Sequence, residues 1–176
     1  MKKRIVITLS IVTAALAVAA AAVAASLSAT AAVTGTAGVS LALPSTPAIN
    51  ATLNGADQQL AYAPQLGVTD ARGTGTGWNV TVAATPFTDT AGHSFAAGVV
   101  KSIVQACSTG STCSTPTNSV SYPVSLTSTA SKVFSAAANT GMGKVDVTPT
   151  IETTVPGNAY AGNYTSTLTI ATALSP

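Results

Sequence analysis

Charged and aromatic side chains are scarce in this sequence. Of its 176 residues, 7% are charged and 5% are aromatic, and it has one histidine, one tryptophan and two cysteines. Average soluble proteins have about 25% charged residues, so few groups are present for acid–base chemistry. A highly charged, disordered tail is excluded because disorder of that kind depends on charge. The composition therefore favours a binding or structural protein, and we expect no enzyme activity and no cofactor.

The basic residues are unevenly placed. Three of the seven are Lys2, Lys3 and Arg4, and residues 5–25 are apolar apart from two threonines and one serine. A charged start, an apolar stretch and small residues near its end are typical of a secretory signal peptide. We predict a helical signal peptide over residues 1–30, cleaved between Ala24 and Ala32. The alternative is an uncleaved membrane anchor, since the length approaches the roughly 20 residues that span a bilayer, but the weak hydrophobicity of alanine favours cleavage.

Removal of that segment reverses the sign of the net charge. The remainder has four basic and five acidic residues, a net charge of −1. The basic surface that nucleic-acid binding requires is therefore not expected. We predict that residues 31–176 form one exported domain, of a size that supports its own core. Contact with the membrane is then limited to the signal segment before cleavage.

Alternating apolar residues recur along this domain between turn signals. Trp78, Val80 and Val82, for example, share one face of a predicted strand. The predicted strands are 39–43, 49–53, 66–68, 78–82, 120–126, 145–147 and 164–170. Short, threonine-rich strands at this spacing predict an all-β fold, an antiparallel β-sandwich of the Ig-like or Greek-key type, preceded by the signal-peptide helix. Residues 131–138 could instead form one or two helical turns.

The two cysteines are close in sequence. Cys107 and Cys113 lie on either side of Gly110 in the segment ACSTGSTCS. In an oxidising compartment such a pair is most simply a disulfide across a loop tip. Zinc would need four ligands, and the one histidine is far away in sequence. We predict a disulfide, with free thiols as the alternative, and no metal site.

The residues that catalysis would need are not grouped. His93 lies in a polar, glycine-containing loop, TDTAGHSF, where a solvated histidine is the ordinary state. Asp89 and His93 could share a metal ion, but two ligands in a loop do not make a site. Asp70 and Arg72 could form an ion pair or an Asx-turn that braces the loop through Gly77, which precedes Trp78.

Trp78 has two interpretations. A tryptophan in a sandwich often fills the space between the sheets, and an exposed one can stack on sugar rings. The strand that carries it has Val80 and Val82 on the same face, which favours the core. The sequence leaves both interpretations open.

Three segments in order resemble WxL-domain surface proteins of Gram-positive bacteria. They are VTDARGTGTGWNVTVAATPF (68–87), KVFSAAANTGMG (132–143) and TVPGNAYAGNYTSTLTIATALSP (154–176). The family is named for two Trp-x-Leu motifs. At the first position this chain has Trp78-Asn79-Val80, with valine in place of leucine, and at the second it has Ile170-Ala171-Thr172.

The resemblance implies a β-rich domain that attaches non-covalently to the cell wall, with peptidoglycan as the partner. It also implies Trp78, Asn79, Val80 and Ile170 as the wall-binding residues. The loss of the second Trp-x-Leu motif indicates a divergent branch or a relative used as a structural surface subunit. The expected location is extracellular and associated with the wall.

A second function is consistent with the same features. Exported, weakly charged, threonine-rich strands with free edges can pair between chains. The protein could therefore be a self-assembling surface, fibre or matrix subunit, or bind other surface proteins, and residues 32–43 could act as a donated strand.

Overall fold

The computed structural model describes residues 31–36 and 38–176, and the predicted signal peptide lies outside them. The described residues form strands and no helix, so none of their segments is a helix that could cross a membrane. In chain order the strands are β1 (Val39–Ala42), β2 (Gln58–Tyr62), β3 (Leu66–Asp70), β4 (Trp78–Ala84), β5 (Phe87–Thr88), β6 (Ser94–Phe95), β7 (Val99–Cys107), β8 (Val124–Ser125), β9 (Ser131–Ala136), β10 (Gly143–Val155) and β11 (Leu168–Ala173).

The larger sheet is built around the 13-residue strand β10. Its order is β1-β3-β10-β7-β8, and β2 pairs with the later half of β10, every pairing being antiparallel. Pairing with β3 ends at Val147 and pairing with β2 begins at Ile151. Pro149 lies in the gap between them, where β10 is paired with β7 alone. A proline is tolerated there because a strand paired on one side resembles an edge.

The smaller sheet has three strands in the order β11-β4-β9, again antiparallel. A two-stranded hairpin, β5-β6, completes the strands of the described region. Buried side chains of both larger sheets belong to one hydrophobic cluster, which includes Leu66 and Val145 from one sheet and Trp78 and Phe134 from the other. All four side chains are fully buried.

The prediction of an all-β, antiparallel fold is confirmed. The alternation around Val68, Val80 and Val147 corresponds to β3, β4 and β10. The helical interpretation of residues 131–138 is wrong, because residues 131–136 form β9, which pairs with β4. The predicted strand at 49–53 is absent, and the one at 120–126 is reduced to β8 at the edge of the larger sheet.

Candidate functional site

Trp78 is a core residue. It opens β4, none of its surface is exposed, and its ring lies 5.4 Å from that of Phe134. Its indole Nε1 donates a 2.9 Å hydrogen bond to the carbonyl oxygen of Gly141, so its polar end is satisfied inside the protein. The sequence leaves open whether Trp78 is a core residue or an exposed stacking residue, and in the structure it is a core residue.

The loop before Trp78 is braced by a buried ion pair. Arg72 donates from Nε and Nη2 to the two carboxylate oxygens of Asp70, both at 2.8 Å, and from Nη2 to the carbonyl of Gly77 at 2.7 Å. The backbone N–H of Arg72 also donates to Asp70 Oδ1, so the ion pair and the Asx-turn occur together. Hydrogen bonding from the guanidinium lowers the pKa of Asp70, and the same bond raises that of Arg72.

Gly77 is fixed by close packing at the end of this loop. Its φ is +78°, and a Cβ atom would lie 2.5 Å from the carbonyl oxygen of Ala136. Only glycine combines this conformation with that contact. The loop therefore holds the start of β4 against β9.

The other residues that the resemblance implies for wall binding lie beside Trp78 or across from its strand. Val80 is fully buried, and Asn79 is 5% exposed with its Nδ2 donating to the carbonyl of Ser175. Ile170, on β11, is opposite Val82 and half-buried against the core. Trp78 and Val80 offer no surface to a polymer, so any part they have in binding acts through the scaffold.

The cysteines form a disulfide. Cys107 ends β7, and Cys113 lies across a short loop from it, with the two Cα atoms 5.5 Å apart. The loop packs on the start of β10, where Ser108 N–H donates to the carbonyl of Lys144. A Cβ atom at Gly143 would lie 2.5 Å from the carbonyl oxygen of Thr112 and 3.1 Å from the Cα atom of Cys113. The disulfide loop therefore closes one end of the larger sheet.

His93 pairs with a single carboxylate. Its Nδ1 lies 2.7 Å from Asp89 Oδ2, while Asp89 Oδ1 accepts hydrogen bonds from the backbone N–H groups of Ala91 and His93. The hydrogen bond from His93 lowers the pKa of Asp89. Within residues 31–36 and 38–176, no three His, Cys, Asp or Glu side chains are grouped so as to hold a metal. The pair serves to fix the loop and the position of the imidazole ring.

A groove of about 350 Å³ lies beside this loop, and we call it the aromatic groove. Its lining includes the side chains Asn50, Phe87, Phe95, Tyr160, Asn163 and Tyr164. The aromatic rings are packed in series, with Phe87 5.0 Å from Phe95 and Phe95 5.0 Å from Tyr164. Tyr164 Oη then donates to the carbonyl of Tyr160 at 3.0 Å.

Tyr160 is the exposed ring at this groove. It is 65% exposed, and it stacks on His93 with 3.8 Å between ring centroids and 16° between planes. The sequence did not predict this arrangement, because the segment that carries Tyr160 has the composition of a turn. The available signal was two tyrosines four residues apart in a stretch rich in glycine and asparagine.

A second groove adjoins the first. It has a volume of about 340 Å³ and shares Ile49 and Phe87 with the aromatic groove. Tyr62 and Ile170 are also in its lining. The Tyr62 hydroxyl is buried and has no hydrogen-bond partner among the described residues, and its burial raises the pKa of the phenol.

One comparison with known proteins finds a match. The family model described as WxL domain surface cell wall-binding matches residues 32–171. Neither a curated protein nor a solved structure matches the sequence. The family match includes the first Trp-x-Leu position and ends just after Ile170, within the second, which confirms the resemblance noted in the sequence. Because the match extends over well more than half of the sequence, the chain belongs to the WxL domain family of surface cell wall-binding proteins.

Proposed function

We propose that this protein is exported and attaches non-covalently to the peptidoglycan of a Gram-positive cell wall. The family match over residues 32–171 carries this proposal. In it, residues 1–30 are the cleaved signal peptide and residues 31–176 are one domain, whose two larger sheets form an Ig-like sandwich. The protein then resides outside the cell, on the wall, and acts by adhesion without catalysis.

The small number of basic side chains in the domain argues against recognition of the wall through phosphate groups. Arg72 is held by Asp70, and Lys101 lies 3.3 Å from Glu152 across the larger sheet. Lys132 donates to the carbonyl oxygen of Pro176. Among the described residues Lys144 is exposed and makes no ion pair, so this part of the chain has no cluster of free positive charge for phosphate-rich polymers. Hydrogen bonds and ring stacking are the interactions left for binding.

The residues of the Trp-x-Leu positions have a supporting role in this proposal. Trp78 and Val80 fill the core, and Ile170 packs on it from the neighbouring strand. The Asp70–Arg72 pair fixes the loop that leads into this strand. Their contribution to wall binding is to hold the exposed loops of the domain in place.

Sedimentation with purified peptidoglycan tests the proposal. The purified protein is mixed with peptidoglycan sacculi, either intact or stripped of phosphate-containing polymers, and the bound fraction is measured after centrifugation. We expect co-sedimentation with both preparations, above the level of an unrelated β-domain of similar charge. Recovery of the protein in the supernatant at the level of that control would refute attachment to peptidoglycan.

Self-association is a second candidate function, favoured by the edge of the smaller sheet. In the described region β11 pairs with β4 alone, so no strand is hydrogen-bonded to its other edge, although β1 lies close to it. The predicted donor, residues 32–43, is partly engaged, because Val39–Ala42 pairs with β3 of its own chain. Exposed Ala171 on β11 gives the test: Ala171→Lys should abolish any concentration-dependent assembly seen by sedimentation velocity. A wild type that stays monomeric at every concentration would refute this candidate.

A further inference from the structure

Tyr160 combines high exposure with a fixed position. The residue is 65% exposed, yet the segment that carries it is anchored at several points. Gly157 N–H donates to Asp57 Oδ1, Ala159 N–H donates to the carbonyl of Pro156, and Tyr164 Oη donates to the carbonyl of Tyr160 itself. A large ring held in water in one orientation loses little further freedom when a ligand covers it.

His93 supports the Tyr160 ring from one side. The two rings stack at 3.8 Å, and Asp89 fixes the imidazole through its 2.7 Å contact with Nδ1. His93 does not line the aromatic groove, whereas Tyr160 does. The imidazole therefore covers one face of the tyrosine ring, and the rest of this exposed residue is available to a ligand.

The groove favours an uncharged ligand that forms hydrogen bonds. None of the four basic residues that follow residue 30 lines it, and its lining contains no carboxylate. Amide side chains of Asn50 and Asn163 border it instead. An amide both donates and accepts hydrogen bonds, which suits hydroxyl and acetamido groups and gives no counter-charge to phosphate.

The adjoining groove indicates a ligand longer than one ring. The two grooves share Ile49 and Phe87, so a chain molecule can extend from one into the other. Tyr62 is in the lining of the second groove, but its hydroxyl is buried out of reach of a ligand, so the groove offers the aromatic body of this residue.

We propose that the aromatic groove binds the neutral glycan strand of the wall, with one pyranose ring stacked on Tyr160 and its polar groups bonded to Asn50 and Asn163. This inference rests on the proposed attachment to peptidoglycan and names the site and the ligand chemistry. Tyr160 is then a direct contact residue, while His93 and Asp89 position its ring.

The test is a titration of the full chain with a defined oligosaccharide. An uncharged β-1,4-linked tetramer of N-acetylglucosamine is titrated by calorimetry, and poly(glycerol phosphate) serves as the anionic comparison. Tyr160→Ala should weaken tetramer binding roughly tenfold, the change that corresponds to about 1.4 kcal/mol. Tyr160→Phe keeps the ring and should recover most of the binding that Tyr160→Ala loses. Val104→Ala is the control, because it also truncates an exposed apolar side chain, 67% exposed, outside the groove.

The outcomes separate this inference from the attachment that it rests on. If the wild type sediments with peptidoglycan and Tyr160→Ala sediments equally well, attachment stands and the aromatic groove is not the site. If the wild type does not sediment but binds the tetramer through Tyr160, the groove binds glycan and attachment to the wall is refuted. Failure to bind the tetramer, or tighter binding of the phosphate polymer, overturns the inference in either case.

Discussion

Replacement of Trp78 by phenylalanine separates a core tryptophan from a binding one. The change removes the donor of the 2.9 Å hydrogen bond to Gly141 and part of a fully buried ring. An unpaired buried carbonyl costs about 1–3 kcal/mol, and the space left by the smaller ring adds roughly 1 kcal/mol. We expect Trp78→Phe to lower the free energy of unfolding by about 2–4 kcal/mol, a large part of the roughly 5–15 kcal/mol that holds a domain together.

The measurement is urea unfolding followed by far-UV circular dichroism, because the variant has no tryptophan to report by fluorescence. The matched control is Tyr160→Phe, an aromatic exchange at an exposed ring, which should change stability by no more than about 0.5 kcal/mol. Below the transition, where Trp78→Phe is folded, its binding to peptidoglycan should equal that of the wild type. A variant of unchanged stability that fails to bind would show that the tryptophan is a binding platform, and the reasoning from burial would be refuted.

Three further changes test the braces of the fold. Asp70→Asn should cost about 3 kcal/mol, because it leaves the charge of a buried arginine side chain without its counter-ion. The pKa of Asp70 is lowered in the folded chain, so its stabilisation is complete above the unfolded pKa of about 3.9 and is lost as the pH falls through the folded value. When stability is measured at decreasing pH, the wild type should show this loss and Asp70→Asn should not. Parallel curves of stability against pH for the two proteins would contradict the prediction. Joint replacement of Cys107 and Cys113 by serine should lower the unfolding free energy by about 2 kcal/mol, the value for so short a loop. Addition of a reductant should lower the stability of the wild type by the same amount and leave that of the double variant unchanged. Gly141→Ala should cost about 2 kcal/mol or more, since φ is +72° and the new Cβ would lie 2.8 Å from the indole nitrogen of Trp78. The control is Gly55→Ala, because Gly55 also has a positive φ but has open space around it, and this variant should lose less stability in thermal unfolding. Equal losses in the two variants would exclude crowding as the cause.

The alternation of apolar and polar residues correctly predicted the strands that have one buried and one more exposed face. In β4 and β10 the apolar residues recur at every second position, and side chains such as Val80 and Val147 are fully buried. The segment around Val133 was misread because a short apolar run has no period that distinguishes helix from strand. Its pairing with β4 decides its conformation, and that partner lies about 50 residues earlier in the chain. Residues 49–53 also alternate between apolar and polar, but no neighbouring strand pairs with them, and an alternating segment without such a partner forms no strand.

The candidate site was less predictable than the fold because its parts come from distant segments. Phe87 and Phe95 lie on one hairpin, whereas Tyr160 and Tyr164 lie in the loop before the last strand. No local pattern joins them, since they meet in the folded chain, where Thr88 pairs with Thr165 and the ring of Phe95 packs on that of Tyr164. Sequence alone could therefore indicate which aromatic residues were available, and only the folded chain shows which of them is exposed.

Because the residues at the first Trp-x-Leu position are buried, a substitution there acts on the packing of the core. Val80, in place of leucine, is fully enclosed, so the exchange of one aliphatic side chain for another alters packing and leaves the outer surface as it was. At the second position Ile170 is half-buried, opposite Val82, and contributes apolar contacts to the same core. If the motifs act through the core, a chain that has lost the second tryptophan retains its binding loops as long as isoleucine keeps β11 on β4. At Val80 the departure from the family pattern is then a departure in packing, whereas Ile170 also lines the second groove, so the surface to compare among WxL domains is the one formed by the two grooves.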